Sequence, residues 1–336
     1  MSETYASYAL VVIYSAMAVY VLAFVFFTLD LAKRSAESPR AVAGSATARE
    51  SAAAVAASEA GTAASPVGRG GVGTLERESG PAAESGSGGR RMERIAFALT
   101  ALAWVLHVAG AVLRGLADGH VPWSNMFEFS LVSSGIVVGV FLFLQFWQNL
   151  RFLGTYIAGF ALIVLGVGTV NFYVPVTPLP PALQSYWLVI HVFVATLGTA
   201  FFGVGAGLSI VQLLQTRREA DGLARLNFLG TMPTAERLEN LAYRVIVVGF
   251  VFWTFTLIAG SIWAERAWGR YWGWDTKEVW TFIIWVLFAG YIHARATRGW
   301  RGTRSAWLAL IGFGAVAFNY TIVNLFFKGL HVYSGL

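Results

Sequence analysis

The sequence predicts an all-α membrane protein built as a polytopic bundle of about eight transmembrane helices. Hydrophobic residues make up 57% of the 336 residues and charged residues only 12%, whereas a soluble domain carries about 25% charged residues. Apolar runs of about 20 residues, the length that crosses a bilayer, recur along the chain. The net charge of +6 would by itself suggest a nucleic-acid partner, but so few charges among so many apolar residues indicate a membrane protein, and we expect no nucleic-acid partner.

The first apolar run is predicted to be an N-terminal anchor over residues 1–32. Glu3 precedes this run, and Lys33 and Arg34 follow it, which is the reverse of the charge order in a cleavable signal peptide. The apolar runs place the eight spans at residues 8–32, 94–116, 127–148, 152–174, 187–214, 241–263, 279–296 and 305–327.

The orientation follows from the positive charges. If the N-terminus lies outside, the inner segments hold most of the 24 Lys and Arg residues, as the positive-inside rule requires. The sequence therefore predicts a multi-pass protein of the cell membrane with both termini outside. The tryptophan-rich loop between the sixth and seventh spans is then extracytoplasmic.

Between the first two spans, residues 33–93 are predicted to be a disordered cytoplasmic linker. Residues 35–91 contain no aromatic side chain and consist mainly of Ala, Gly, Ser, Glu and Arg. Such a composition buries too little apolar surface to offset the entropy lost on ordering. Residues 94–336 are predicted to form the membrane domain that carries the chemistry.

The five histidines are informative because polar side chains at membrane depth are usually functional. His191 lies near the outer end of the fifth span and His331 follows the eighth, so both are expected at the outer level. His293 lies at the inner end of the seventh span. For His107 and His120 we expect structural hydrogen bonds. The chain has no cysteine, which excludes disulfides, thiolate metal sites and a cysteine nucleophile.

The loop over residues 263–280 contains five tryptophans and one tyrosine. Two neutral imidazoles beside such an aromatic surface suit haem, because they can ligate the iron while the tryptophans cover the macrocycle. Arg270 or Lys277 could pair with the haem propionates. Asp275 could either orient a histidine or cap the seventh helix.

These residues also carry a family resemblance. Residues 268–278, WGRYWGWDTKE, resemble the tryptophan-rich WWD signature of haem-handling proteins in cytochrome c assembly. Four further segments are similar to the CcsA/ResC branch of System II: residues 122–129, 187–192, 291–295 and 329–333. The resemblance covers residues 94–336. Thr276 stands where relatives often have proline, which should loosen the turn into the seventh helix.

The resemblance implies the haem-handling subunit of a System II holocytochrome c synthase, a haem lyase. Haem b would pass from His293 to the outer site and be joined there to the CXXCH thiols of apocytochrome c. The implied catalytic residues are His191, His331 and Asp275. The implied haem-binding residues are His191, His331 and His293, which ligate the iron, and Trp268, Trp272, Trp274, Arg270 and Lys277.

The implied partners are the apocytochrome, thiol-reducing thioredoxin-like proteins and a ResB/CcsB-like membrane subunit. This subunit would supply the second ligand of the inner haem, although His107 is an alternative donor. Two other functions stay open: a haem transporter or chaperone without ligation activity, and a b-haem redox subunit that passes electrons to quinone. The sequence has no phosphate-binding loop, HExxH or GxSxG motif, so ATP-driven export and hydrolysis have no support.

Overall fold

The computed structural model describes residues 2–60, 85–221, 224–297 and 299–331, with side chains described except at residues 36–60, 85–90 and 221–227. These residues form α-helices and three short 3-10 turns, with no strand among them. The helices are α1 Ser2–Ala60, α2 Ser85–Asp118, α3 Met126–Leu144, α4 Gly154–Asn171, α5 Tyr186–Asp221, α6 Ala235–Trp268, α7 Thr276–Ala296, α8 Thr303–Tyr320 and α9 Ile322–Phe326.

Eight segments of the described chain are long and apolar enough to cross a membrane, which confirms the predicted all-α fold with eight spans. The eighth comprises α8 and α9 together. The fifth and sixth helices extend beyond the predicted spans, α5 as far as Asp221 and α6 from Ala235. The reason is that Gln, Arg and Glu continue a helix well, whereas the hydropathy signal ends where the apolar residues end. The outside location of the termini stays a prediction.

The structure differs from the predicted linker at both ends of residues 33–93. Helix α1 continues to Ala60 and α2 begins at Ser85, while residues 61–84 lie outside the described residues. Alanine, glutamate and arginine favour a helix even where the chain is too polar to enter a membrane. Arg34 pairs with Asp30 at 2.8 Å and also with Glu93, so it joins α1 to α2 at the end of the predicted spans.

The helices pack in two groups that share α5 and α6. Helix α1 runs along α2 and α5 runs along α6. One apolar core contains residues of all the helices from α1 through α6. A second core contains residues of α5, α6, α7 and α8 and lies around Phe202, Trp253 and Phe288. Small residues bring α5 and α6 together, because a Cβ at Gly205 would overlap the Ile246 side chain. Close contact through glycine is a common means of helix association in membranes.

A buried ion pair ties α6, α7 and α8 at the end that the charges predict to be cytoplasmic, here called the inner end. Arg295 Nε lies 3.1 Å from Glu239 Oε1, and the Gly302 N–H donates to Glu239 Oε2 at 3.0 Å. Arg295 also donates to Asn240 at 2.7 Å. Buried charges need such partners because an unpaired ion in an apolar interior is very costly.

Candidate functional site

A cavity opens among α3, α5, α6, α7 and α8 at the opposite, outer end of the bundle; we call it the outer cavity. Its volume is about 350 Å³, within the rough 300–1,000 Å³ range of ligand pockets. Four of the predicted site residues line it, namely His191, His331, Trp272 and Lys277. Much of the remaining wall is apolar, so the outer cavity suits a large apolar ligand that presents a few polar groups.

Two histidines, one in α5 and one after α9, meet around a single tryptophan. The His191 ring stacks on Trp263, with the centroids 5.8 Å apart and the planes at 13°. His331 lies edge-on to the same indole at 5.4 Å. Trp268 packs against Trp263 and against His331, each with a centroid distance of 4.7 Å. The structure thus brings together two imidazoles from distant parts of the chain.

The His191 imidazole is held by a backbone carbonyl. Its Nδ1 lies 3.1 Å from the Thr256 carbonyl oxygen on α6. Because a carbonyl can only accept, Nδ1 must carry the proton, and the lone pair is then on Nε2. Gly260 provides the space for the ring, since a Cβ there would lie 2.6 Å from His191 Cε1.

The His331 imidazole lies beside a carboxylate. Its Nδ1 lies 3.3 Å from Asp275 Oδ1, and the Asp275 side chain is only 5% exposed. Asp275 also accepts the backbone N–H groups of Lys277 at 2.8 Å and Leu330 at 2.7 Å. Burial raises the pKa of Asp275, but His331 and these N–H groups outweigh it and hold the pKa at about 2. Asp275 therefore caps α7 and lies close to a histidine.

Two residues in the loop between α6 and α7 have a positive φ. Gly269 ends α6 in the left-handed region at φ 69°, and Trp274 has the unusual φ of 60° for a residue with a side chain. Glu278 Oε2 accepts the N–H groups of Gly273 at 2.8 Å and of Asp275 at 3.0 Å. The carboxylate of α7 therefore fixes the loop that leads into it.

The aromatic residues of this loop do not all face the outer cavity. Trp272 lines it, whereas Trp274 is 76% exposed and touches Trp272 edge-on at 5.9 Å. Arg270 is not among the lining residues. Its guanidinium lies against Gly273, where an added Cβ would overlap Nη1. Of the two cations considered from the sequence, only Lys277 belongs to the wall of the described cavity.

Lys277 reaches across from α7 to the end of the eighth span. Its Nζ donates to the Asn319 carbonyl oxygen at 3.2 Å and to the Asn324 side chain. Tyr320, between these asparagines, forms a hydrogen bond of 2.8 Å with Ser130 on α3. The polar residues near the end of this span therefore hold a cation at the cavity wall and join it to α3.

The α3 side of the cavity includes residues of the segment 122–129, which carries the family resemblance but in which the resemblance implies no haem-binding residue. Trp123, Asn125 and Met126, at or just before the start of α3, line it. Glu128 holds this segment because it accepts the Ser124 N–H at 3.0 Å and pairs with buried Arg114 at 2.8 Å. The signal in the sequence is the spacing of Asn125 and Glu128, which is typical of a capped helix start.

The other histidines lie away from the outer cavity. His293 is exposed at the inner end of α7, sixteen residues and roughly 24 Å along the helix from Lys277. His107 is 1% exposed, and its ring nitrogens contact Tyr20 Oη at 3.3 Å and the Leu131 carbonyl at 2.7 Å. His120 Nδ1 contacts the Val121 carbonyl at 3.0 Å. His107 thus has the structural contacts expected from the sequence, whereas His120 contacts only the carbonyl of the next residue, and its Nε2 has no hydrogen-bond partner among the described residues.

Comparison with known proteins identifies the family of the chain. Residues 92–331 match the family model described as Cytochrome C assembly protein. The cytochrome c biogenesis protein CcsA of Guillardia theta is 35% identical over 240 residues, which are 66% of this chain and 80% of the relative. The CcsA protein of Parasynechococcus marenigrum is 36% identical over 265 residues, with 70% and 85% covered.

A solved structure shares the fold. It is that of Cytochrome c Heme Lyase CcmF, with a TM-score of 0.56 and 15% sequence identity. The match covers 92% of this chain and 46% of the CcmF chain, so the present protein spans less than half of that larger molecule. Because the family model matches most of the chain and relatives above 30% identity align over most of their length, the chain belongs to the cytochrome c assembly family, whose members serve cytochrome c biogenesis.

Proposed function

We propose that this protein is the haem-handling subunit of a System II holocytochrome c synthase, and that haem is its substrate. The main support is that His191 and His331 both contact Trp263. These residues line an apolar cavity that also has Lys277 in its wall. In this proposal the outer cavity holds haem b while its vinyl groups are joined to the CXXCH thiols of apocytochrome c.

The two histidines are arranged in the same way. Each turns Nδ1 toward an acceptor, the Thr256 carbonyl for His191 and the Asp275 carboxylate for His331. Each therefore offers Nε2 as the nitrogen for the haem iron. An acceptor on the far nitrogen fixes the tautomer and the ring orientation and makes the ligand more basic. Asp275 would act in this way on His331, as a positioning residue.

The wall of the outer cavity matches the rest of the haem molecule. Trp272 offers aromatic surface to the macrocycle, while Trp263, which is 1% exposed, packs against both imidazoles. Lys277 Nζ is the cation available to a propionate, and it is already oriented by Asn319 and Asn324. Trp268 is not among the lining residues and packs edge-on against His331. Arg270 and Trp274, which the resemblance also implied, would reach the haem only if the loop rearranged.

Haem reaches the outer cavity from the cytoplasmic side in this proposal. His293 is exposed at the inner end of α7, so it is open to haem together with a second ligand from a ResB/CcsB-like partner. His107 is a poor second ligand because both of its ring nitrogens are occupied. The outer cavity and both termini then lie on the extracytoplasmic side of the plasma membrane, where thioredoxin-like proteins keep the apocytochrome thiols reduced.

The proposal is tested by purifying the protein with its partner from haem-replete cells. We expect His191→Ala and His331→Ala to lose the haem spectrum of the outer site and the yield of covalent cytochrome c. His120 is predicted to lie on the same side of the membrane but does not line the outer cavity. His120→Ala should therefore keep the haem spectrum and the cytochrome c yield. If haem and cytochrome c survive in the first two variants, the outer-site assignment is wrong.

A second measurement separates a synthase from a haem transporter or chaperone. The purified complex is mixed with reduced apocytochrome, and the product is tested for haem that resists acid–acetone extraction. Thioether-linked haem is expected for a synthase. Transfer of haem without a covalent bond would instead support the transporter.

A further inference from the structure

Glu278 is a buried carboxylate whose full bonding capacity the loop does not use. It is 7% exposed and is the one acidic residue among the described residues that line the outer cavity. Its Oε2 accepts two backbone N–H groups of the loop. Its Oε1 is buried and has no hydrogen-bond partner in the described part of the chain.

An unsatisfied buried acceptor is costly, so its presence in a binding cavity indicates a donor that arrives with the substrate. Asn319 Oδ1 is a second buried acceptor of this wall without a partner among the described residues. In the proposed reaction, the cysteine thiols of the apocytochrome are the groups of the second substrate that can donate a proton. A carboxylate oxygen that is fixed in place but free to bond is suited to accept such a proton.

We propose that Glu278 is the catalytic residue that carries the proton during thioether formation; this rests on the proposed function. The thiol gives its proton to Glu278 Oε1. The sulfur lone pair forms the C–S bond at the vinyl carbon next to the ring, and the C=C π pair takes the proton from the Glu278 carboxylic acid at the terminal carbon, which becomes a methyl group. Glu278 returns to a carboxylate, and no electron is gained or lost.

The other ionisable groups near the cavity already have assigned roles or hydrogen-bond partners. His191 and His331 are the proposed iron ligands. Lys277 Nζ is bonded to two asparagines. Both oxygens of Asp275 are in use, Oδ1 with Lys277 N–H and His331 and Oδ2 with Leu330 N–H. Among these ionisable residues, only Glu278 has one oxygen held by backbone N–H groups and a second oxygen without a hydrogen-bond partner in the described part of the chain.

The test compares Glu278→Gln and Glu278→Asp with the wild-type complex. Glutamine keeps the length of the side chain and an oxygen for the two loop N–H groups, but it cannot carry the proton. Aspartate keeps the carboxyl group but is one carbon shorter. Proton transfer therefore predicts attachment rates in the order Glu, Asp, Gln, whereas a purely structural cap predicts that Gln exceeds Asp. Glu265→Gln is the matched control, because this carboxylate of the same side is 41% exposed.

The measurements are the haem spectrum of the complex and the single-turnover rate of covalent haem attachment to reduced apocytochrome. We expect E278Q to keep the spectrum and to attach haem about 100-fold more slowly, the lower range for loss of a general acid–base. E265Q should match the wild type. Attachment by E278Q at the wild-type rate, loss of its haem spectrum, or a rate above that of E278D would each overturn the proposal. A wild-type complex that binds haem but forms no thioether would instead refute the synthase function itself.

Discussion

Gly260→Ala tests whether the position of His191 determines haem binding. A Cβ at residue 260 would lie 2.6 Å from His191 Cε1 and 2.8 Å from Nδ1. The ring must therefore move by about 0.8–1 Å to restore ordinary carbon contacts of roughly 3.5 Å. Such a shift lengthens the 3.1 Å contact of Nδ1 with the Thr256 carbonyl beyond hydrogen-bond range.

Two costs follow from this shift. Overpacking of a well-filled site costs about 1–3 kcal/mol, and the lost hydrogen bond costs about 1 kcal/mol. Loss of the group that orients a metal ligand typically weakens binding roughly 10–100-fold. We therefore expect G260A to fold, to melt several degrees lower and to bind haem at the outer site at least 10-fold more weakly.

The assay is a haem titration of the purified complex, read from the absorption of the bis-histidine form. Gly290→Ala is the matched control, because Gly290 lies on α7 with no atom within 4 Å of an added Cβ among the described residues. G290A should bind haem as the wild type does. Wild-type affinity in G260A would refute the reasoning, since it would show that the placement of the His191 ring against Gly260 does not govern the ligand bond.

Three further predictions concern the charged groups. Asp275→Asn removes the anion beside His331 and should weaken haem binding about 10–100-fold, read in the same titration. Because the pKa of Asp275 is lowered from 3.8 to about 2, the stability that its ionised form contributes is complete above about pH 4 and is lost as the pH falls toward 2. The protection factor of the amides near residue 330, which is the intrinsic exchange rate at each pH divided by the observed rate, should stay high at pH 5 and fall at pH 2–3. Loss of protection already at pH 5 would contradict this. Arg295→Met leaves the Glu239 carboxylate buried without its cation and should cost about 3–5 kcal/mol, seen as a lower melting temperature, whereas exposed Arg304→Met should change it little.

The composition of the candidate site is predictable only in part. The sequence places His191 and His331 at one level because each lies near the end of a span, and their depth follows from counting residues. By sequence Trp263 suits an interface anchor, yet it is 1% exposed and contacts both imidazoles. Its role depends on the rotation of α6 about its own axis, which packing against α5 determines and which a single apolar run does not encode.

The same distinction holds for the charged and aromatic loop residues. The sequence leaves Arg270 and Lys277 as equal candidates for a propionate, and the structure separates them because the loop backbone folds the guanidinium over Gly273. Trp274, whose backbone has a φ of 60°, is 76% exposed and is not among the residues that line the outer cavity. The resemblance marks residues 122–129, but their place in the cavity wall depends on contacts of α3 with α8 that join residues 190 positions apart.

The sequence by itself determined the eight spans and the membership of residues 92–331 in the cytochrome c assembly family. Both are local properties, since a span needs only about 20 apolar residues in succession and a family motif is a short run of residues. Only the tertiary structure decided which tryptophans touch His191 and His331, which cation faces the outer cavity and which carboxylate oxygen stays free there. Those contacts arise between distant segments, so they depend on how the helices rotate and pack rather than on any one stretch of chain.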